Sequence, residues 1–189
     1  MVRVWLASAS SRRSEMLESH FSNLTSKALS GVDESADKGE VSQQVLQICK
    51  KKAAAIRTAG EFDMVIVSDT MLADPDIDNL ALGKPEDEVQ AAMMLQRLSG
   101  RRHRVWSSTG IYLSGHWTFF TDSSIVEINQ LSDDELVELV LSGSWKGKAG
   151  GYDLAGEMSK YASLIDGNKS TVLGIAESAM EVIRAISSK

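Results

Sequence analysis

The stretch LASASSRRSEML, Leu6–Leu17, brings Ser8, Ser10 and Ser11 and then Arg12 and Arg13 to the junction of two patterns. Before it lies RVWLA, Arg3–Ala7, an apolar run of strand type; after it Met16, Leu17 and Phe21 recur at helical spacing. A helix N-terminus carries partial positive charge, so acidic residues are favoured in its first turn and arginines are mildly unfavourable there. One reading is a plain N-cap followed by solvated charges. The other is an anion held by backbone amides and guanidinium forks, for which a phosphate chain is the usual ligand.

A second strand pattern, DMVIVSDT at Asp63–Thr70, ends in Ser68, Asp69 and Thr70. Ligands of open α/β sheets bind beyond the carboxyl ends of strands, so Asp69 faces the anion if the two strands are neighbours. A carboxylate beside phosphate is repelled unless it binds a metal or takes a proton from water. The alternative is a cap or turn residue. LGKPEDE, Leu82–Glu88, sets Lys84 just before a helix N-terminus without the glycine and Ser/Thr of a P-loop. Arg13 and Lys84 are expected to face solvent at helix openings, while one of the two adjacent arginines can point away from the cleft.

Lys52, in the run Lys50–Lys52, reads as part of a solvated face. Asp33 and Glu34, in a turn after a strand, are metal ligands or ordinary turn residues. His103, between arginines, orients a loop or touches phosphate, whereas His20 and His116 read as surface residues. Trp145 and Tyr152 flank a glycine-rich loop and either stack a base or pack. No G-x-G-x-x-G follows a strand, and no Ser-His-Asp or Cys-His pattern is recognisable. Dinucleotide binding and covalent nucleophilic catalysis are therefore unsupported.

The elements that must position these groups follow from periodicity. A short strand is expected at Leu24–Leu29, a helix over Val41–Ala59 with Val45, Ile48, Cys49, Ala53 and Ile56 on one stripe, and a short strand near Leu80–Leu82. Pro85 opens a helix that Gly100 closes. Arg102–Leu113 and Trp117–Asn129 form a hairpin around Ser114-Gly115, and Ser132 with Glu135 makes a capping box. Residues 143–156 hold five glycines and read as a long ordered loop. Tyr161–Ile165 and Ser170–Leu173 read as a second hairpin around Asp166-Gly167-Asn168, before a last helix with Ile175, Ala179, Val182, Ile183 and Ile186. Helices alternating with strands, then hairpins, give an α/β class with a mixed sheet and a cleft between the two halves.

At 189 residues, 43% hydrophobic and 24% charged, the chain can bury a real core. A net charge of −6 disfavours nonspecific nucleic-acid binding. The basic residues nonetheless cluster at Arg12-Arg13, Lys50–Lys52 and Arg101-Arg102 with Arg104, which suits a small polyanion in a pocket. One cysteine, Cys49, excludes an internal disulfide and a cysteine-based zinc cluster, and its place on an apolar stripe makes it a core residue. No apolar run reaches membrane-span length and the N-terminus lacks a signal-peptide pattern, so no membrane contact and a cytoplasmic location are expected.

Taken together, these blocks resemble the Maf-like nucleotide pyrophosphatases, relatives of the inosine triphosphate pyrophosphatases. The match runs in order from Val4 to Ile186 through LASASSRRSEML, SDT at Ser68–Thr70, LGKPEDEVQAAMMLQRLSGRRHRV, KAGGY at Lys148–Tyr152 and DG…VLGIA. The resemblance implies one domain over residues 1–189, a mixed central sheet with flanking helices and a cleft, and a homodimer. It also implies cleavage of nucleoside triphosphates to the monophosphate and pyrophosphate with a divalent cation, Mg2+, Mn2+ or Co2+. Asp69 matches the family's catalytic base. Ser8, Arg12, Arg13, Lys52 and Lys84 match phosphate-binding positions, and Glu34 with Asp69 lies at the metal.

The chain also departs from that pattern. Ser11 stands where the family has proline, and Ala155 where the dTTP- and UTP-cleaving branch has glutamine. Ser144-Trp145 and Gly147 replace that branch's acidic-Pro and Asp residues. These substitutions lie in the loop expected to contact the base, with Ala155 as the substrate-binding position that differs most. The expected base preference therefore differs from that branch's. Two other activities are weighed beside pyrophosphate release: a nucleotide-binding regulator of cell division without turnover, and a phosphatase releasing orthophosphate.

Overall fold

The structure is a computed structural model and describes residues 2–77 and 79–188. In β1 (Val4–Leu6), Val4 and Leu6 are fully buried. It runs parallel to β2 (Leu24–Ser26) on one side and to β3 (Met64–Ala73) on the other. The MVIV run of β3 is covered on both faces, which is why it lacks the alternation of a half-exposed strand. Met64 and Ile66 pack with Leu17 of α1 (Ser11–Glu18) and with Ala179, Met180 and Ile183 of α6 (Glu177–Ser187). Val67 packs on Cys49 and Ala53 of α2 (Val41–Ala55).

The sheet has seven strands in the order β2-β1-β3-β5-β6-β7, with β4 (Ala81–Leu82) paired to β3. β3, β5 (Arg102–Leu113), β6 (His116–Ile128) and β7 (Ala162–Asp166) are antiparallel neighbours. The expected mixed α/β sheet is thus present. The hairpin between β5 and β6 turns at Ser114 and Gly115 with φ of 51° and 88°, the left-handed pair that two-residue hairpins require. In α4 (Asp133–Leu141) the Ser132–Glu135 capping box is complete.

Several boundaries differ from expectation. β2 and α2 end at Ser26 and Ala55, short of Leu29 and Ala59. α1 begins at Ser11, which places both arginines inside its first turn. α3 (Glu88–Leu98) begins after Asp87, whose side chain accepts from the Gln90 amide at 2.8 Å and so replaces Pro85 as the start signal. The expected second hairpin is corrected. Residues 162–166 pair with β6, but Lys169–Leu173 is a short helix, α5. Ser124 explains the turn, since its hydroxyl accepts from the Asn168 amide and donates to the Asn168 carbonyl, both at 2.9 Å. The chain is thereby pinned to β6 and turns over the sheet before another strand forms.

Candidate functional site

β1 pairs with β3 only as far as Leu6 and Ile66, so the rest of β3 continues past the end of β1 beside the N-terminus of α1. A cavity of about 510 Å³ opens there. That is the size of a small-molecule site. Alternation along β3 sorts its polar residues. Asp69 shares the face of Val67 and meets α2, while the Ser68 hydroxyl meets Gly174 O and the Thr70 hydroxyl meets Arg13 of α1.

Asp69 is buried, and its Oδ1 accepts from Lys52 Nζ at 2.8 Å. Glu34 Oε1 lies 3.2 Å from the same Nζ. The solvated-face reading of Lys52 is therefore corrected: the last turn of α2 aims it inward, between two carboxylates. Asp33 turns outward instead to Lys51 and Ser35, hydrogen bonds that hold its carboxyl well below the usual range. Ser8, Arg12, Arg13 and Lys84 line the cavity with Glu34, Lys52 and Asp69. Ser10 offers no side-chain cap to α1 and the first turn holds no acidic residue, so its amides are open to an anion.

The two arginines differ. Arg12 reaches Asp153 Oδ1 at 3.4 Å. Arg13, expected to face solvent, is fully engaged inside the protein: Nε donates to Gly174 O at 2.8 Å, Nη1 to Ser8 Oγ and Ser68 O, and Nη2 to Thr70 Oγ1 at 3.0 Å. Burial pushes its guanidinium below the ordinary arginine range, and the Asp69 carboxylate opposes that shift. Gly174, with φ 114°, is the residue this contact needs, since a Cβ there would lie 2.7 Å from Arg13 Nε. Under Arg13 runs a hydroxyl network that the sequence reading missed. Thr70 Oγ1 meets Ser107 Oγ at 2.8 Å, and Ser68 Oγ meets Thr109 Oγ1 at 3.0 Å.

Lys84 is exposed at the cavity. Removing it leaves no buried partner stranded, so Lys84→Ala is expected to weaken binding of a polyphosphate anion in the cavity while Tm stays within about 1 °C. Parallel calorimetric titrations and thermal melts check this.

The glycine-rich loop closes the far side. Lys146, Gly147, Lys148, Ala149, Tyr152 and Leu154 line the cavity, and the two lysines add cations not singled out from the sequence. Ala155 is exposed and stands outside that lining, its amide bonded to Asp153 Oδ1 at 3.0 Å. Trp145 is buried packing, donating to Val140 O at 2.9 Å. His103 is buried and bonded to the Tyr152 hydroxyl at 2.7 Å, so of its two readings the structure realises the loop-orienting one. Cys49 is a core residue whose thiol burial raises to about 11.

Asp69 and Glu34 also bear on metal binding. Among the described residues no three His, Cys, Asp or Glu side chains converge as a metal site. Two carboxylates beside a cluster of cations suit a hard cation such as Mg2+, which is commonly held by one or two carboxylates and completed by substrate phosphates. An all-protein metal cage does not fit.

Fold and site define a mixed α/β protein with a cation-lined cleft at the ends of its parallel strands. The chain belongs to the Maf-like protein family, whose model matches residues 3–186. It is 33% identical over 171 residues to the dTTP/UTP pyrophosphatase of Pyrococcus abyssi, covering 90% of this chain and 88% of that one. It is 35% identical over 173 residues to the dTTP/UTP pyrophosphatase of Cereibacter sphaeroides, covering 90% and 87%. The nucleoside triphosphate pyrophosphatase of Ehrlichia ruminantium is 32% identical over 146 residues, covering 76% and 74%. The Ham1 protein of Staphylococcus aureus shares the fold with a TM-score of 0.50 at 15% identity, over 98% of each chain.

Proposed function

We propose that the protein is a nucleoside triphosphate pyrophosphatase, cleaving a triphosphate with water into the monophosphate and pyrophosphate. The observation that carries this reading is Asp69, a buried carboxylate 2.8 Å from Lys52 in a cavity whose lining also brings Arg12, Lys84, Lys146, Lys148 and the open amides of α1. A buried ion pair adds little to stability compared with apolar packing, so its place here suits a chemical role. Asp69 orients the attacking water and takes its proton. Arg12, Lys84, Lys146 and Lys148 hold the phosphates and stabilise charge developing on the pyrophosphate leaving group. Lys52 holds Asp69 in position, and Arg13 ties Ser8 after β1, β3 and the Gly174 turn together around the cavity. A divalent cation held by Asp69 and Glu34 would supply Lewis-acid activation of the phosphate chain.

Leu72, Val105, Tyr152, Leu154 and Val172 line the cavity from one apolar cluster and suit the base. No helix among the described residues is long and apolar enough to cross a membrane. The active form we propose is a homodimer. Exposed apolar pairs on two packed helices, Val89 with Met93 on α3 and Val137 with Leu141 on α4, offer surface for a second copy.

With no glutamine at Ala155 and an apolar wall, base selectivity should be broad, within the roughly 10–200-fold that apolar pockets achieve. The test is kcat/KM over the common and methylated triphosphates, with the released phosphate species identified, for the native chain and Ala155→Gln. Pyrophosphate release over a broad range is expected. Orthophosphate alone, or sharp selection of dTTP and UTP that the substitution leaves unchanged, contradicts it.

A further inference from the structure

His103 Nε2 lies 2.7 Å from the Tyr152 hydroxyl, with the rings edge to face at 5.5 Å between centroids and 82° between planes. Each residue is only 4% exposed. His103 Nδ1 has no hydrogen-bond partner among the described residues. A buried imidazole with one orphaned nitrogen is a costly choice in a strand where an apolar side chain would pack at no such cost. The bond joins Nε2 to the phenol oxygen, and the two tautomers of the neutral imidazole make it in opposite directions. Burial lowers the imidazole to about 4, which keeps it neutral.

Tyr152 belongs to the cavity lining and to a loop that has little regular structure of its own. Gly143, Gly147, Gly150 and Gly151 all take positive φ. The loop is anchored at Gly150, whose amide bonds Gly83 O at 2.9 Å and whose lack of a side chain accommodates Leu72. Among the described residues, the His103–Tyr152 bond is the side-chain hydrogen bond from this loop to the central sheet, beside the apolar packing of Tyr152 and Leu154 in the cluster of Leu72 and Val105.

We propose that His103 is a positioning residue for nucleotide selection: through its hydrogen bond to Tyr152 it holds the aromatic wall of the base end in one arrangement. This rests on the triphosphate reading of the cleft. His103 touches no phosphate and takes no part in proton transfer to the substrate. Its influence runs through the ring of Tyr152, so it acts on the base-bearing part of a ligand and not on the phosphate chain.

The test compares Tyr152→Phe, His103→Phe, the double variant and His103→Gln. For the triphosphate the wild type cleaves best, KM is expected to rise about tenfold in each phenylalanine variant, with kcat within about threefold. The double variant should be no worse than either single one, since both remove the same bond. His103→Gln, whose amide can donate to or accept from the phenol, should recover most of the loss. Inorganic tripolyphosphate, which has no base, should inhibit all forms equally. Unchanged KM in the folded phenylalanine variants overturns the proposal, as does equal weakening of tripolyphosphate. If the wild type cleaves no triphosphate, the cleft reading fails instead. Calorimetric titration with a nucleoside triphosphate then reads the positioning effect directly, and equal affinity in wild type and Tyr152→Phe overturns it.

Discussion

Asp69→Asn is expected to lower turnover by about 10²–10⁴ while leaving the protein folded and able to bind a triphosphate. Asparagine keeps an oxygen where Lys52 Nζ now finds Oδ1 at 2.8 Å, so the cavity retains its shape. What it loses is the capacity to take a proton. Removing a negative charge next to the phosphate chain also relieves repulsion, so affinity should hold or tighten. Glu34, 3.2 Å from Lys52 Nζ, still balances the lysine. Turnover by pyrophosphate release and binding by calorimetry, on the same preparation, separate the two effects. A variant with near-wild-type turnover contradicts the assignment of Asp69 as the base.

Arg13→Ala is expected to lower activity and stability together. Its guanidinium satisfies Gly174 O, Ser68 O, Ser8 Oγ and Thr70 Oγ1 at once, and alanine leaves all four without that donor. Removing one partner from a buried charged network typically costs about 3–5 kcal/mol. For a chain of this size each kcal/mol shifts Tm by about 2–4 °C, so a fall of roughly 6–20 °C is expected. Arg13→Lys should restore little, because a single ammonium cannot serve acceptors on three sides. A thermal melt beside activity per folded molecule checks this. An unchanged Tm would mean that Arg13 works only on the ligand.

Arg13 also shows where sequence reading stops. Its type and helix-opening position were legible and pointed to an anion. Its acceptors lie 5, 55, 57 and 161 residues along the chain, and no local pattern reports them. Lys52 failed for the same reason: beside Lys50 and Lys51 it looks solvated until β3 is known to lie against α2. Signals contained within a few residues fared better. The Ser132–Glu135 box, the Ser114-Gly115 turn and the apolar stripe of α2 each depend on chemistry that neighbours complete. Lys169–Leu173 was misread because its turn is fixed by Ser124, 44 residues away. His103 and Tyr152 were recognised singly but not as a pair, since 49 residues separate them.

The central claim is that water attacks the α-phosphorus of a nucleoside triphosphate at Asp69. Turnover in H2(18)O with Mg2+ tests it directly, with mass spectrometry of both products. One labelled oxygen in the nucleoside monophosphate, none in the pyrophosphate and product from Asp69→Asn lowered by about 10²–10⁴ is the expected result. Label in pyrophosphate, or release of labelled orthophosphate, would contradict it.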